Sequence, residues 1–270
     1  LINFRFMSLK MNVLLAQTDN AQTEYNKSLQ SHLKMFKNET NLFEGVRKTY
    51  TPKGDNPVKE NMQGFSRVVF TVDESLISLI DVMKRFWKLQ FAEEATNSKG
   101  AAKVELKVDG HSFGMLTAYD LMRLKNFLQS KDLRAVLDFI PTRTDTKVWT
   151  KSVDDDNKDR SIYEQPISKS VDKTTEKEEV ILRDPNLDPA HIPSGYTPRT
   201  TIKSRVIELG DSTIQYFSGE WSTEQKNRLI ARLNKLQAAV ITALKEVNDV
   251  ETERPNLDVD SAVNFLFDLK

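Results

Sequence analysis

Cysteine is absent from this 270-residue sequence, histidine occurs only three times, and the formal net charge is zero. Without cysteine the chain has no disulfide, no thiolate nucleophile and no sulfur ligand for zinc. The 39 basic and 39 acidic side chains balance, so no overall field draws the chain to nucleic acid or to anionic lipid. These absences favour a cytoplasmic protein and argue against a nucleic-acid partner.

Long apolar runs are also missing from the sequence. No stretch reaches the ~18 uninterrupted apolar residues that a membrane-spanning helix requires. The apolar run in residues 1–17 is broken by polar side chains, and no small-residue cleavage site follows it. We therefore expect neither a membrane partner nor a signal peptide, and we interpret residues 1–10 as a leader or as residues added before the natural start.

The motifs of common enzymes and cofactor sites do not occur. His32, His111 and His191 are not spaced as metal ligands are, and none belongs to an HExxH motif. The glycines form neither GxGxxG nor GxxxxGK[ST], and there is no GxSxG nucleophile elbow. The sequence therefore predicts no cofactor and favours a protein that is not an enzyme.

One dense acidic segment, VDDDNKDRS at residues 153–161, is the only candidate cation site. Its candidate ligands for calcium or magnesium are Asp154, Asp155, Asp156 and Asp159. Aligned with an EF-hand loop, Arg160 takes the place of the required glycine and Pro166 that of the closing glutamate. The pattern favours a solvated loop, with weak cation binding as the alternative.

Two segments, residues 11–36 and 222–248, carry apolar residues at alternating spacings of four and three, which predicts long amphipathic helices. The candidate contact residues of these helices are Tyr25, Leu29, Phe36, Leu229, Leu233, Leu236, Val240 and Val247. Four more lie in the C-terminal tail: Val263, Phe265, Leu266 and Phe267. The stripes fit a helical bundle within one chain or a contact between copies, and the spacing alone does not distinguish the two.

Shorter signals predict the remaining elements. Thr71 and Glu74 form a capping box at the start of a helix over residues 71–95, whose apolar residues form one broad face. Asp109-Gly110 predicts a tight hairpin, and Thr117 with Asp120 opens the next helix. Residues 38–66, with three glycines and two prolines, have the composition of an irregular segment. Between residues 146 and 219 the hydrophobic period changes to two, which predicts a mostly antiparallel sheet with one solvated face. Its predicted short strands are 147–151, 162–164, 167–172, 177–183, 200–209 and 212–217.

These elements predict an α+β fold: a bundle of long helices, a short hairpin, and a β-rich segment before the last long helix. The predicted division is a helical region with the hairpin at 11–145, a β-rich segment at 146–221, a long helix at 222–250 that packs on the helical region, and a linker with an apolar tail at 251–270.

Long apolar stripes without catalytic motifs indicate a structural or protein-interaction module that forms homo-oligomers, with a second protein as a possible partner class. One alternative is an enzyme, or a protein that binds a metal or small ligand, with an unfamiliar site. Another is a nucleic-acid accessory protein that uses Arg199, Lys203 and Arg205 beside Tyr196. Self-association in solution distinguishes the first interpretation from the other two.

The layout also resembles a family of uncharacterised bacterial proteins of unknown function. The resemblance is carried by LFEGVRKTYTP, the helix after Phe70, the hairpin that ends in VDG, the helix LMRLKNFL, the run LDFIP, the tryptophan in KVWTK, and the last long helix. It spans residues 11 to 250 and leaves the tail outside. It implies no catalytic residue, ligand or fold.

Overall fold

A computed structural model describes residues 11–154, 156–182, 197 and 199–248. Within them the chain forms an α+β fold of five α-helices and eight β-strands, as the sequence predicts. The helices are α1 Met11–Asn38, α2 Val72–Asn97, α3 Ala118–Leu128, α4 Lys131–Asp138 and α5 Thr223–Val247. The strands are β1 Glu44–Pro52, β2 Gly64–Ser66, β3 Lys103–Val108, β4 His111–Thr117, β5 Thr150–Lys151, β6 Tyr163–Glu164, β7 Ser168–Ile181 and β8 Thr200–Ser218.

The chain divides into two compact units, each assembled from separate stretches of sequence. The described part of the first, the helical unit, comprises residues 11–33, 79–139 and 224–248. The second, the sheet unit, comprises Lys34–Ser78 and Ile140–Thr223. Each unit therefore combines stretches that are far apart in the sequence. Residues 34–78, which include β1 and β2, belong to the same unit as residues 140–223. The predicted leader at 1–10 and the predicted linker and tail at 251–270 lie outside the described residues.

Aromatic packing forms the core of the helical unit. The rings of Tyr25 and Phe86 stack with centroids 5.3 Å apart, and burial raises the pKa of the Tyr25 hydroxyl to about 12. Phe127 of α3 contacts Phe86, stacks on Trp87 at 5.2 Å, and meets the edge of Phe91. The apolar face predicted for α2 is thus covered by α1 and α3, and aromatic pairs of this kind contribute ~0.5–1.5 kcal/mol beyond their burial.

Local sequence signals set the ends of several elements. Asp109 and Gly110 both adopt positive φ angles, of 49° and 82°, and close the predicted β3–β4 hairpin. Thr117 accepts a hydrogen bond from the backbone N–H of Asp120, and the Asp120 carboxylate accepts one from the Thr117 N–H, a complete capping box for α3. The predicted box of Thr71 and Glu74 is likewise present at α2.

Antiparallel strands in the order β2-β1-β8-β6-β5 form the sheet of the sheet unit, and β7 pairs with another part of β8. Val68, Ile162 and Phe217 form a buried cluster, and Phe36 packs on Phe43 with ring centroids 5.7 Å apart. The prediction of an irregular segment at 38–66 is wrong, because this stretch contains β1 and β2. Strand β1 pairs over its whole length with β8, a partner so distant in sequence that local composition does not reveal it.

Two long strands replace four of the predicted short ones. Sequence periodicity places breaks near residue 175 in β7 and at Gly210 in β8, whereas both strands continue through these points. Gly210 is required for close approach rather than for a turn: a Cβ atom there would lie 2.5 Å from the ring of Tyr50. The irregularity in β8 is a bulge at Leu209, beside Asp172 and Lys173 of β7.

Candidate functional site

The most distinctive surface of the sheet unit is a two-stranded ribbon formed by residues 173–181 of β7 and 200–208 of β8. Nine residue pairs hold it together, from Lys173 opposite Glu208 to Ile181 opposite Thr200. At ~3.3 Å per residue it is about 30 Å long. In the part of the chain that the structure describes, no third strand pairs with it, since β1 ends opposite Gly210. Among the described strands, none therefore extends the ribbon along either outer edge.

One face of the ribbon carries exposed aliphatic side chains. Residues that lie opposite each other share a face, so Ile202 opposite Glu179, Val206 opposite Thr175, and Ile181 all lie on the same side. Ile181 is 61% exposed, Ile202 65% and Val206 61%. The prediction of one solvated and one covered face is wrong for this part of the sheet, because both faces are in solvent. We call this side the aliphatic face.

The opposite side of the ribbon carries two cross-strand pairs of opposite charge, besides the half-buried Val180 and Ile207. Glu176 lies opposite Arg205, and Glu178 lies opposite Lys203. Arg205 and Lys203 are two of the residues considered for nucleic-acid contact, and each faces a carboxylate. Tyr196, their predicted aromatic neighbour, lies outside the described residues. At these two positions the surface is not a basic patch of the kind that binds phosphate groups.

Ion pairs fix the base of the ribbon to the sheet. The Asp172 carboxylate accepts hydrogen bonds from the Lys59 ammonium at 2.5 Å and from the Tyr50 hydroxyl at 3.2 Å. The nearby Lys59 charge lowers the pKa of Asp172 and keeps its carboxylate ionised. On the other strand, Glu208 accepts a hydrogen bond from Lys53 at 2.7 Å and pairs with Lys173 at 3.3 Å, and both lysines lower its pKa. The direction in which the ribbon leaves the sheet is thus set by polar contacts.

The acidic segment at 153–161 is organised by arginines. Arg47 donates to the Asp154 carboxylate at 2.6 Å, which neutralises that candidate ligand. Asp156 and Asp159 are exposed, and Asp155 lies outside the described residues. No group of three or more histidine, aspartate or glutamate side chains converges on one point among the described residues. Weak cation binding by this segment stays an untested alternative to the predicted solvated loop.

Arg160 occupies the position at which an EF-hand loop requires glycine. It makes the most extensive contacts of this segment with the rest of the sheet unit. Its guanidinium group donates to both carboxylate oxygens of Glu74 at 2.8 Å, and to the backbone carbonyls of Val68 at 3.1 Å and Val69 at 2.9 Å. The Glu74 carboxylate also accepts a hydrogen bond from the Thr71 N–H. Chiefly because of Arg160, the pKa of Glu74 falls to about 2. The acidic segment therefore ties down the start of α2.

Most of the candidate contact residues of the long helices lie in the interior of the chain. Buried among them are Tyr25, Leu29, Phe36, Leu233, Val240 and Val247, and half-buried are Leu229 and Leu236. The four tail candidates, Val263, Phe265, Leu266 and Phe267, lie outside the described residues. The stripes of α1 and α5 are thus largely covered within one chain, and their use between copies stays a prediction.

The sequence contained a partial signal for the ribbon. The lysines spaced along β7, Lys169, Lys173 and Lys177, are typical of an exposed sheet edge, and all three are exposed. The pairing of β7 with β8 over fourteen residues was not predicted, because each strand was divided in two. Among the described residues, none of the helices is both long and apolar enough to cross a lipid bilayer.

The comparison with curated proteins finds no match, and neither does the comparison with solved structures. A family match, in contrast, covers nearly the whole chain and includes the C-terminal segment that the resemblance seen in the sequence leaves out. The chain belongs to a family of unknown function (DUF7873), which it matches over residues 8–268.

Proposed function

We propose that this protein is a non-enzymatic interaction module that associates with a second copy of itself through the aliphatic face of the ribbon. The observation that carries the proposal is the exposure of Ile181, Ile202 and Val206 on one side of a ribbon that no described strand or helix covers. A two-stranded ribbon is marginally stable in water without a covering layer. Association would supply that layer.

The charges on the aliphatic face favour a second copy over a partner of opposite charge. Four charged side chains share this face, Lys173, Lys177, Glu179 and Glu208, two of each sign. Two copies related by a two-fold axis present the same patch to each other. Since the patch is neutral, they meet without net repulsion, and lysines of one copy can lie near glutamates of the other.

The area of the aliphatic face limits the expected strength of association between two copies. A ribbon about 30 Å long and ~10 Å wide offers roughly 300 Å² per copy. Stable dimers generally bury ~800 Å² per partner. We therefore expect weak association that increases with concentration rather than a permanent dimer.

Sedimentation velocity on the full chain between ~5 and ~500 µM tests the proposal. The weight-average mass of the wild type should rise from the monomer value of 31.0 kDa as concentration increases. Ile202→Asp and Val206→Asp should each keep the mass near 31.0 kDa, because a carboxylate would have to be buried in the contact. Both residues are exposed in the monomer, so the substitutions remove no buried contact there, and the lower strand propensity of aspartate should cost the monomer about 1 kcal/mol.

Lys203→Thr is the matched control, since it changes net charge by the same amount on the neighbouring residue of β8 but faces the charged side. It should associate as the wild type does. A wild type that stays at the monomer mass over the whole range contradicts the proposal. So does association that survives Ile202→Asp and is lost on removal of residues 252–270, which would assign the contact to the tail instead.

A further inference from the structure

A cleft of about 490 Å³ lies within the sheet unit, on the side of the sheet that carries Glu44, Val46 and Tyr216. Its floor comes from β1 and β8, where Glu44 lies opposite Ser218 and Val46 opposite Tyr216. Its wall comes from the segment 142–149, held by Arg143, whose N–H donates to the Trp221 carbonyl at 2.9 Å. Backbone hydrogen bonds therefore hold both the floor and the wall of the cleft in place.

Two carboxyl groups of the cleft, Glu44 and Glu220, form no ion pair with any residue that the structure describes. The Glu220 carboxylate accepts one hydrogen bond, from the Ser218 hydroxyl at 3.2 Å. Arg143 is nearby, but it donates to the backbone carbonyl of Glu220 at 2.8 Å, and its guanidinium lies 3.7 Å from the ring centroid of Tyr163. Burial raises the pKa of Glu220, and the Glu44 charge adds to the shift, which the Ser218 hydrogen bond and the Arg143 charge offset only in part. A positive group placed beside both carboxylates would relieve this repulsion.

Aromatic faces complete the lining. The Lys147 ammonium lies 5.2 Å from the centroid of the Tyr216 ring, which shows that this ring accepts a cation from the cleft side. The Trp149 indole N–H already donates to the Thr144 carbonyl at 2.9 Å, so the indole contributes an apolar surface to the lining. Carboxylates together with aromatic faces are the groups that recognise an organic cation.

We propose that this cleft binds the ammonium or guanidinium group of a small organic molecule, between Glu44 and Glu220 and against Tyr216, in the place toward which Lys147 now extends. An organic cation fits better than a metal ion, because no three metal-ligating side chains converge among the described residues. The Lys147 ammonium occupies part of the site in the free protein, and the ligand displaces it. This inference does not depend on association through the ribbon.

The test uses the full-length protein and butylguanidinium as the probe, with neutral butylurea as the ligand of the same shape. Indole N–H resonances are followed by NMR during the titration. The wild type should bind butylguanidinium saturably at millimolar concentration, as expected for a fragment of this size. Butylurea should give no saturable shift. Butylammonium then distinguishes the two cation types, and saturable binding of either supports the proposal.

Variants separate the roles of the lining residues. Glu220→Gln and Glu44→Gln should each weaken binding at least fivefold, whereas Lys147→Met should strengthen it several-fold by removing the competing ammonium. Glu178→Gln, an exposed acid on the ribbon, is the matched control and should bind as the wild type does. Equal binding of butylurea, unchanged affinity in Glu220→Gln, or no saturable shift up to ~50 mM would each overturn the inference.

Discussion

Replacing Arg160 with methionine should lower the free energy of unfolding by about 2 kcal/mol at pH 7 and by much less at pH 2. The ordinary pKa of a glutamate is 4.5, and Arg160, with hydrogen bonds from Thr71, holds that of Glu74 at about 2. At ~1.36 kcal/mol per pKa unit, the whole shift corresponds to ~3.4 kcal/mol for a fully shielded group, and Arg160 supplies the largest part of it. The Glu74 side chain is 41% exposed and that of Arg160 30%, so solvent screening reduces the contribution to about 1–2 kcal/mol.

Methionine also removes the two hydrogen bonds from Arg160 to the carbonyls of Val68 and Val69. Bonds of this kind contribute ~0.5–1.5 kcal/mol each, and water can replace part of that contribution at a partly exposed site. The hydrocarbon part of the methionine side chain keeps much of the packing of the arginine stem. The screened ion pair and the partly replaced hydrogen bonds together give a total of about 2 kcal/mol.

The sign of the pH dependence follows from the direction of the pKa shift. The folded-state pKa of Glu74 is lower than its unfolded-state value, so its ionised form stabilises the folded protein at pH values above ~4.5. This stabilisation is lost as the pH falls from ~4.5 towards ~2, where Glu74 becomes protonated even in the folded chain. The cost of removing Arg160 should decrease over the same window.

A double-mutant cycle of Arg160→Met, Glu74→Gln and the combined variant isolates the pair. Urea unfolding is followed by tryptophan fluorescence, because Trp221 donates its indole N–H to Asp73 in the first turn of α2. The coupling free energy should be about 1–2 kcal/mol at pH 7, the screened value for the pair, and close to zero at pH 2. A coupling below ~0.3 kcal/mol at pH 7, which is the size expected for independent sites, would refute the reasoning. So would a coupling that does not change with pH.

Two further predictions concern the base of the ribbon. Gly210→Ala should destabilise the protein by ~1–3 kcal/mol, because the new Cβ atom would lie 2.5 Å from the Tyr50 ring and 2.8 Å from the Thr51 carbonyl. Gly64→Ala, whose Cβ would meet nothing within 4 Å, is the control, and equal thermal unfolding of the two variants would contradict the prediction. Lys59→Met should raise the pKa of the Asp172 carboxyl towards its ordinary value, as measured by carbon NMR titration, because the Lys59 ammonium is the main cause of its lowered pKa. Lys48→Met, an exposed lysine that forms no ion pair with a described residue, should leave that pKa unchanged.

The sequence by itself determined the elements whose signals are local. The capping boxes at Thr71 and Thr117, the Asp109-Gly110 turn, and the apolar stripes of the long helices depend on residues only a few positions apart. Such contacts form within one turn of helix or one hairpin, so spacing alone is enough to predict them. The α+β class follows from these elements and from the change of hydrophobic period after residue 146.

The tertiary structure decided everything that depends on distant partners. Arg160 joins Glu74 across 86 residues, and Glu44 lies opposite Ser218 across the β1–β8 pair. A charged side chain has no periodicity that identifies its partner, so the sequence indicates a solvated loop, with weak cation binding as the alternative, and not an anchor for α2. The pairing that forms the ribbon was missed for a related reason: the period-two pattern predicts strands at 177–183 and 200–209, but it does not identify which strand pairs with which.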